Sequence, residues 1–197
     1  MNGLNFKNMQ NKIYNIDQGN NFGKWSDPTS RFMYEDSLKE ILSEIEIPEI
    51  VADYGGANGI LKGFIKNIIT IDIDESKNPD IVDDILKHEG NYNLIIIRFV
   101  LHYLNDYEVL ELFENINKYH EGKILVIQFI NEDLKSKYKN SKNEFKYFRT
   151  KDQLEKLLPE AKLIYSKEYL CSKEFYKNRL KIEDAKSHFE SINAYLF

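Results

Sequence analysis

The sequence has 197 residues, of which 42% are hydrophobic and 30% are charged, and its formal net charge is -5. This length and composition favour one globular domain with a buried core, and they exclude a disordered chain. The acidic balance leaves no general positive field for a phosphate backbone, so nucleic acid is disfavoured as a partner.

Two further features narrow the class of protein. Cys171 is the single cysteine, which excludes an intramolecular disulfide and a zinc site built from cysteines. No window approaches the length of a secretory or membrane-spanning apolar run. We therefore expect a cytoplasmic protein with no membrane segment and no metal site.

The first 48 residues predict an irregular arm followed by a helix. Residues 1–26 are rich in Asn, Gly and aromatic residues and show neither a helical nor a strand period. Asp27 suits an N-cap and Pro28 suits the first helical turn, after which apolar residues recur on one face. Pro48 ends this predicted helix.

Short β-branched runs then alternate with helical patterns. A helix is predicted after the first strand on the spacing of Ile60, Leu61, Phe64 and Ile65, and a second at the capping-box pair Asn105 and Glu108. The predicted strands are residues 49–54, 68–73, 80–83, 92–99 and 123–129. This alternation is typical of a parallel sheet with right-handed crossovers.

The C-terminal third predicts a different arrangement. Residues 131–148 have no clear period, and their length is typical of a functional loop or lid. A capping box at Thr150 and Gln153 opens a helix, and two strands at 162–170 and 174–180 are close enough in sequence to form an antiparallel hairpin. Residues 181–197 have the apolar spacing of an amphipathic helix.

The predicted fold class is therefore α/β. We expect a three-layer sandwich with a seven-stranded, mostly parallel sheet and an antiparallel hairpin at one edge. The whole chain, residues 1–197, is predicted to be one domain. It consists of an N-terminal arm and helix (1–48), a Rossmann-like core (49–180) and a C-terminal helix (181–197).

The first predicted strand ends in a glycine-rich turn, at the edge of the sheet where open α/β folds bind ligands. The turn contains Asp53, Gly55, Gly56, Ala57 and Gly59, with the spacing acidic-x-Gly-x-small-x-Gly. The dinucleotide-binding fingerprint requires Gly-x-Gly-x-x-Gly instead. The segment resembles the first motif of class I S-adenosylmethionine-dependent methyltransferases, acidic-x-Gly-x-Gly-x-Gly, with Ala57 where that family usually has Gly.

The resemblance covers roughly residues 50–130 and implies S-adenosylmethionine as the cofactor. It places an acid at the end of the second strand to accept both ribose hydroxyls, which matches Asp72, followed by Ile73, with Asp74 as the alternative. An Asp after the third strand accepts from the adenine amino group and the next apolar residue covers the ring. Asp84 and Ile85 match those two positions.

Residues 92–104 resemble the family's fourth strand and the Leu-His-His-Leu stretch after it, with Tyr103 in place of the second His. The family exposes residues to the active-site cleft here, which implies that Arg98 and Phe99 line the cofactor cleft. We hypothesise that Arg98 pairs with a carboxylate or phosphate of the substrate. An ion pair with a neighbouring Asp explains this arginine equally well.

Catalysis and substrate binding have candidate residues in the same regions. His102 is the candidate general base, because histidine takes up a proton near neutral pH, although local packing at the helix entrance explains it as well. Relatives often place a lid before the first strand, which implies substrate contacts for Trp25, Arg31 and Tyr34, together with Tyr103. A docked N-terminal arm would use the same aromatic residues to bury surface.

The expected function is methyl transfer from S-adenosylmethionine to a small-molecule acceptor. An RNA or protein methyltransferase is the first alternative, with the lysines between Lys135 and Lys146 as its basic handle. A cofactor-binding module that has lost catalysis is the second, because Ala57 and Tyr103 depart from the family pattern. The sequence leaves the oligomeric state open.

Overall fold

The computed structural model describes residues 28–57, 59–130, 147, 149–174, 186 and 188–197. Its helices are α1 (Pro28–Arg31), α2 (Ser37–Ser43), α3 (Asp106–Tyr119) and α4 (Lys151–Leu157), and a π-helical turn over Phe32–Asp36 joins α1 to α2. Short 3-10 turns occur at Ile60–Gly63 and Glu75–Lys77. Within these described ranges, no helix is long and apolar enough to cross a membrane.

Within the described residues, one mixed sheet contains the seven strands β1 (Val51–Tyr54), β2 (Ile68–Asp72), β3 (Ile81–Val82), β4 (Leu94–Arg98), β5 (Lys123–Ile130), β6 (Lys162–Cys171) and β7 (His188–Leu196). Their order across the sheet is β3-β2-β1-β4-β5-β7-β6. Neighbours among β1 to β5 pair in parallel, whereas β7 is antiparallel to both β5 and β6. The predicted seven-stranded sheet with an antiparallel edge is confirmed.

Alternate residues of the central strands point to opposite faces of the sheet, and helices cover the apolar side chains on both faces. Val51 and Ile96 belong to one buried cluster, which also contains Leu38 and Ile41 of α2. On the opposite face the buried cluster contains Ala52, Ile95 and Ile97 with residues of α3 and α4. Asp53 and Arg98 share the alternation of Val51 and Ile96, so both belong to the face that α2 covers.

Both predicted capping boxes are present. The Asn105 side chain accepts from the Glu108 backbone N–H at 3.0 Å, and the Glu108 carboxylate accepts from the Asn105 N–H at 2.7 Å. Thr150 and Gln153 make the same reciprocal pair at 3.2 and 3.1 Å. These bonds satisfy N–H groups that the first helical turn leaves without intrahelical partners.

The helix predicted after β1 is not an α-helix but the 3-10 turn Ile60–Gly63. Only four residues separate Gly63 from the start of β2 at Ile68, so the chain has little room for a longer helix. Leu61 and Ile65 are nevertheless buried. Ile60 and Phe64, the other two residues of the predicted pattern, are half-buried, so the apolar spacing predicted neither the full burial nor the type of turn.

The predicted C-terminal helix over residues 181–197 is wrong, because residues 188–196 form β7. This strand pairs on both edges, and Ile192, Asn193, Ala194 and Tyr195 are all buried. A strand covered on both faces loses its polar alternation, so its apolar residues resembled a helical pattern. The hairpin partner of β6 is consequently β7; of the predicted strand 174–180, residues 175–180 lie outside the described residues.

Candidate functional site

The turn after β1 requires two of its glycines for different reasons. Gly55 has a φ of 70°, in the left-handed region, and a Cβ added there would meet Val100 Cγ2 at 2.6 Å. A Cβ on Gly56 would meet Asp53 Oδ2 at 2.8 Å. The N–H groups of both glycines donate to the Ile71 carbonyl of β2, at 2.8 and 3.3 Å. The turn is therefore fixed tightly against the neighbouring strand.

Ala57 also has a left-handed backbone, with a φ of 41°. For a residue with a Cβ this conformation costs roughly 1–2 kcal/mol, which glycine avoids. The Ala57 N–H donates to Asp72 Oδ2 at 2.9 Å, and this bond compensates part of the strain. The backbone therefore explains why a glycine would suit this position, and why the loop still forms with alanine.

Asp72, the last residue of β2, connects two loops at the carboxyl ends of the strands. Its Oδ2 accepts from Ala57 N–H, and its Oδ1 accepts from the Asp74 N–H at 2.9 Å. Asp74 itself caps the following 3-10 turn, accepting from the Ser76 N–H at 3.0 Å and hydroxyl at 2.6 Å. Of the two candidate acids, only Asp72 faces the glycine turn.

The acids after β3 have separate partners. Asp84 Oδ1 accepts from the Leu86 N–H at 3.0 Å, and Asp84 Oδ2 lies 3.6 Å from Lys87 Nζ. Asp83 Oδ2 lies 2.8 Å from His88 Nδ1, and this hydrogen bond lowers the pKa of the Asp83 carboxyl. Asp84 keeps a partly exposed carboxylate at the same edge of the sheet as Asp72.

A buried ion pair packs against the last glycine of the turn, Gly59. Lys62 pairs with Asp80, and the Asp80 carboxylate also accepts from the backbone N–H and the hydroxyl of Thr70, both at 2.9 Å. Gly59 lies against this group, because a Cβ there would meet Lys62 Cδ at 3.3 Å. Sequence reasoning did not single out these residues, since a lysine after a glycine turn and an Asp before a strand are common features.

Two opposite charges lie on adjacent strands beside the turn. Asp53 is 3% exposed, and burial raises the pKa of its carboxyl to about 7, although the positive charge of Arg98 acts in the opposite direction. Arg98 is half-buried, and its Nη1 is buried without a hydrogen-bond partner in the described part of the chain. Within the same residues Arg98 makes no ion pair at hydrogen-bond distance, although its charge and that of Asp53 interact across the adjacent strands.

Aromatic rings surround the Arg98 guanidinium. Its central carbon lies 4.9 Å from the ring centre of Phe99 and 5.7 Å from that of Tyr34. Phe99 contacts Phe129 of β5 in an edge-to-face arrangement, with ring centres 5.5 Å apart. Phe99 has a left-handed φ of 55°, which is strained for a bulky residue, and its N–H donates to the Ile127 carbonyl at 2.9 Å.

His102 is deeply buried at the turn after β4. It is 2% exposed, its Nδ1 lies 3.2 Å from Gln128 Nε2, and its ring contacts those of Tyr103 and Phe129. Burial lowers the pKa of His102 to about 3, so the imidazole is neutral at pH 7 and a weak proton acceptor. This geometry favours the packing explanation over general-base catalysis.

Arg149 holds the same turn in place. It is 7% exposed and donates from Nη1 to the Leu101 carbonyl at 2.6 Å, from Nη2 to the Leu104 carbonyl at 2.8 Å and from Nε to Asp106 Oδ1 at 2.8 Å. The Tyr147 N–H adds a bond to the His102 carbonyl at 2.9 Å. A lone arginine before a capping residue gives no signal in the sequence, so this clamp was missed.

Sequence comparison yields no relative. No family model matches the sequence, and no curated protein matches it.

Solved structures do share the arrangement of strands and helices. Magnesium protoporphyrin IX methyltransferase ChlM from Synechocystis, crystallised with S-adenosylhomocysteine, is 12% identical with a TM-score of 0.56, over 83% of this chain and 80% of that one. N-methyltransferase NodS from Bradyrhizobium japonicum is 12% identical with a TM-score of 0.57, over 87% and 97%. A methyltransferase from Archaeoglobus fulgidus is 13% identical with a TM-score of 0.56, over 82% and 92%.

The chain has the class I methyltransferase fold. At 11–17% identity this similarity establishes the fold and leaves the site to be argued from this chain's own residues.

The class I fold brings most of the predicted residues to one edge of the sheet. Tyr34 joins Arg98 and Phe99, while the glycine turn, Asp72 and Asp84 follow neighbouring strands. Ile73 is 71% exposed and Ile85 is half-buried, so Ile73 at least is accessible to a ligand.

The other residues predicted to contact the substrate are Arg31, Tyr103 and Trp25. Arg31 is exposed and lies 3.4 Å from Asp36, and Tyr103 is 43% exposed beside His102. Trp25, the loop 131–146 and its lysines lie outside the described residues. In the described ranges, no group of three or more acidic, His or Cys side chains is arranged to hold a metal ion.

Proposed function

We propose that this protein binds S-adenosylmethionine on the turn after β1 and transfers its methyl group to a small-molecule acceptor. The observation that carries the proposal is the link between the glycine turn and Asp72 at adjacent strand ends, within a class I fold. The neighbour ChlM contains the demethylated cofactor in a protein of the same fold.

The residues present fit this cofactor. The turn is closely packed, because a Cβ at Gly55 or Gly56 would collide with Val100 or Asp53, so its backbone conformation is fixed before a cofactor binds. Each oxygen of Asp72 accepts one backbone N–H and retains a lone pair for a ribose hydroxyl. We assign Asp84 and Ile85 to the adenine, with Ile73 against the ring, in the order of strands β2 and β3.

Catalysis is proposed to depend on positioning rather than on a base. When bound, S-adenosylmethionine supplies a methyl carbon activated by the positive sulfur, which keeps the bonding electrons when the acceptor attacks. The chain must then place the acceptor in line with the methyl group and keep water out of the site. Phe99, Phe129 and Tyr34 exclude water at the end of β4, and the neutral His102 contributes packing.

Two observations support a small-molecule acceptor: the acidic composition of this chain, and the small acceptor for which the structural neighbour ChlM is named. The net charge of -5 disfavours a polyanionic acceptor such as RNA. ChlM is named for a single porphyrin acceptor, and this chain spans 80% of its length.

A pair of aspartate variants tests the cofactor assignment. Asp72→Asn is expected to lower the affinity for S-adenosylhomocysteine by about tenfold or more, because it removes a ribose acceptor and loosens the turn. Asp74→Asn is the matched control and is expected to change the affinity by less than about twofold, since Asp74 caps a local turn. Isothermal titration calorimetry measures both.

Two results would contradict the proposal. A folded wild-type protein that gives no heat with S-adenosylhomocysteine has no such site. Binding of the cofactor without transfer of a labelled methyl group to any small molecule of a cell extract would instead identify a cofactor-binding module that has lost catalysis.

A further inference from the structure

Arg98 is a half-buried cation with one fully buried donor. Its Nη1 is buried and finds no hydrogen-bond partner in the residues that the structure describes, and no carboxylate among them lies at ion-pair distance. Asp53 is close enough for each charge to affect the other's pKa. Native proteins rarely leave a buried donor of this kind unsatisfied, which points to a ligand as the missing partner.

The aromatic side chains beside the guanidinium indicate which kind of ligand would fit. Arg98 lies over the rings of Phe99 and Tyr34, and Phe99 continues to Phe129 on β5. Rings on these sides favour a flat apolar body over a strongly hydrated one. A single guanidinium presents a planar fork that matches one carboxylate, whereas a phosphate dianion usually requires several donors.

The strand order separates this space from the nucleoside. The acids assigned to ribose and adenine follow β2 and β3, and the glycine turn follows β1. Strands β4 and β5, which carry Arg98 and Phe129, lie on the other side of β1. A group at Arg98 is therefore beyond the tail of the cofactor, on the side where an acceptor must approach.

We propose that Arg98 is the acceptor-recognition residue and that the acceptor is a flat organic carboxylate held by this guanidinium beside the Tyr34 and Phe99 rings, which contact each other edge to face. The inference rests on the proposed function, because it places the acceptor relative to a bound cofactor. The carboxylate is the group that Arg98 binds, and the attraction between opposite charges holds it there.

Benzoate is the probe, with benzamide as its neutral analogue, and the protein is saturated with S-adenosylhomocysteine. Wild type is expected to bind benzoate at least about tenfold more tightly than benzamide. Arg98→Met is expected to lose that preference, while Lys123→Met, which removes an exposed charge at the opposite end of the sheet, keeps it. Nuclear magnetic resonance titration measures each affinity, and thermal unfolding confirms that the variants are folded.

The inference is overturned if wild type binds benzoate no better than benzamide, or if Arg98→Met keeps the preference. It is also overturned if Arg98→Met weakens S-adenosylhomocysteine but not 5′-methylthioadenosine, which lacks the amino-acid end, because Arg98 would then hold the cofactor's carboxylate. In each case wild-type binding of S-adenosylhomocysteine would leave the proposed function standing, whereas its absence would remove both.

Discussion

At the residue scale, the most consequential side chain is the buried Asp53. Burial raises the pKa of its carboxyl from 3.8 to about 7, and the nearby charge of Asp72 raises it further while Arg98 opposes the change. The folded state therefore prefers the protonated acid. The stability that this preference contributes is present below pH 4 and is lost as pH rises through about 7.

Asp53→Asn tests this at the level of free energy. We expect the difference in unfolding free energy between the variant and wild type to shift in the variant's favour by a few kcal/mol between pH 4 and pH 8, because Asn does not ionise. The comparison between variant and wild type is needed because the lowered pKa of His102 also changes the unfolding free energy at acidic pH, in the opposite direction. That contribution is the same in both proteins and cancels in the difference. Urea unfolding at several pH values measures it, and a difference independent of pH would contradict the buried-acid account.

At the element scale, the turn between β4 and α3 depends on a residue far along the chain. Arg149 donates to two carbonyls of the turn and to the first residue of α3, so it joins the turn to the segment before α4. The turn carries His102 and Tyr103. Its shape is therefore fixed by tertiary bonds rather than by its own sequence.

Arg149→Met is expected to lower the unfolding free energy by about 2–4 kcal/mol, because it leaves buried carbonyls unsatisfied. Amide hydrogens of Tyr103 and Leu104, which bond within the turn, should exchange faster. Lys151→Met, a neighbouring exposed residue on α4, is the control and should change stability by less than about 0.5 kcal/mol. Equal effects of the two variants, measured by urea unfolding, would show that the clamp is not needed.

The elements differ in how well the sequence predicts them. Capping boxes and parallel strands were found because their signals are local: a side chain three residues from its partner, or a continuous apolar run. β7 was missed because its burial on both faces depends on pairing with β5 and β6. The Arg149 clamp, the Lys62–Asp80 pair and the pKa of Asp53 likewise arise from residues distant in sequence, which no local pattern reports.

At the scale of the whole molecule, the sheet order explains why the site forms. Parallel strands β2, β1 and β4 end at one edge, so acids, glycine turn and Arg98 meet there although they are far apart in sequence. The N-terminal helical segment is fixed over this face by the Tyr165 hydroxyl and the Lys167 ammonium, both bound to Glu40. Tyr34, on the π-helical turn before α2, contacts Phe99 at the end of β4, with ring centres 6.4 Å apart.

A titration of isotope-labelled protein with S-adenosylhomocysteine, followed through backbone amide resonances, locates the cofactor site on the molecule. We predict saturable shifts at Gly55, Gly56 and Ala57 with little change at Gly122, which lies at the opposite end of the sheet. Unchanged resonances at the glycine turn, or shifts confined to another surface, would contradict the account.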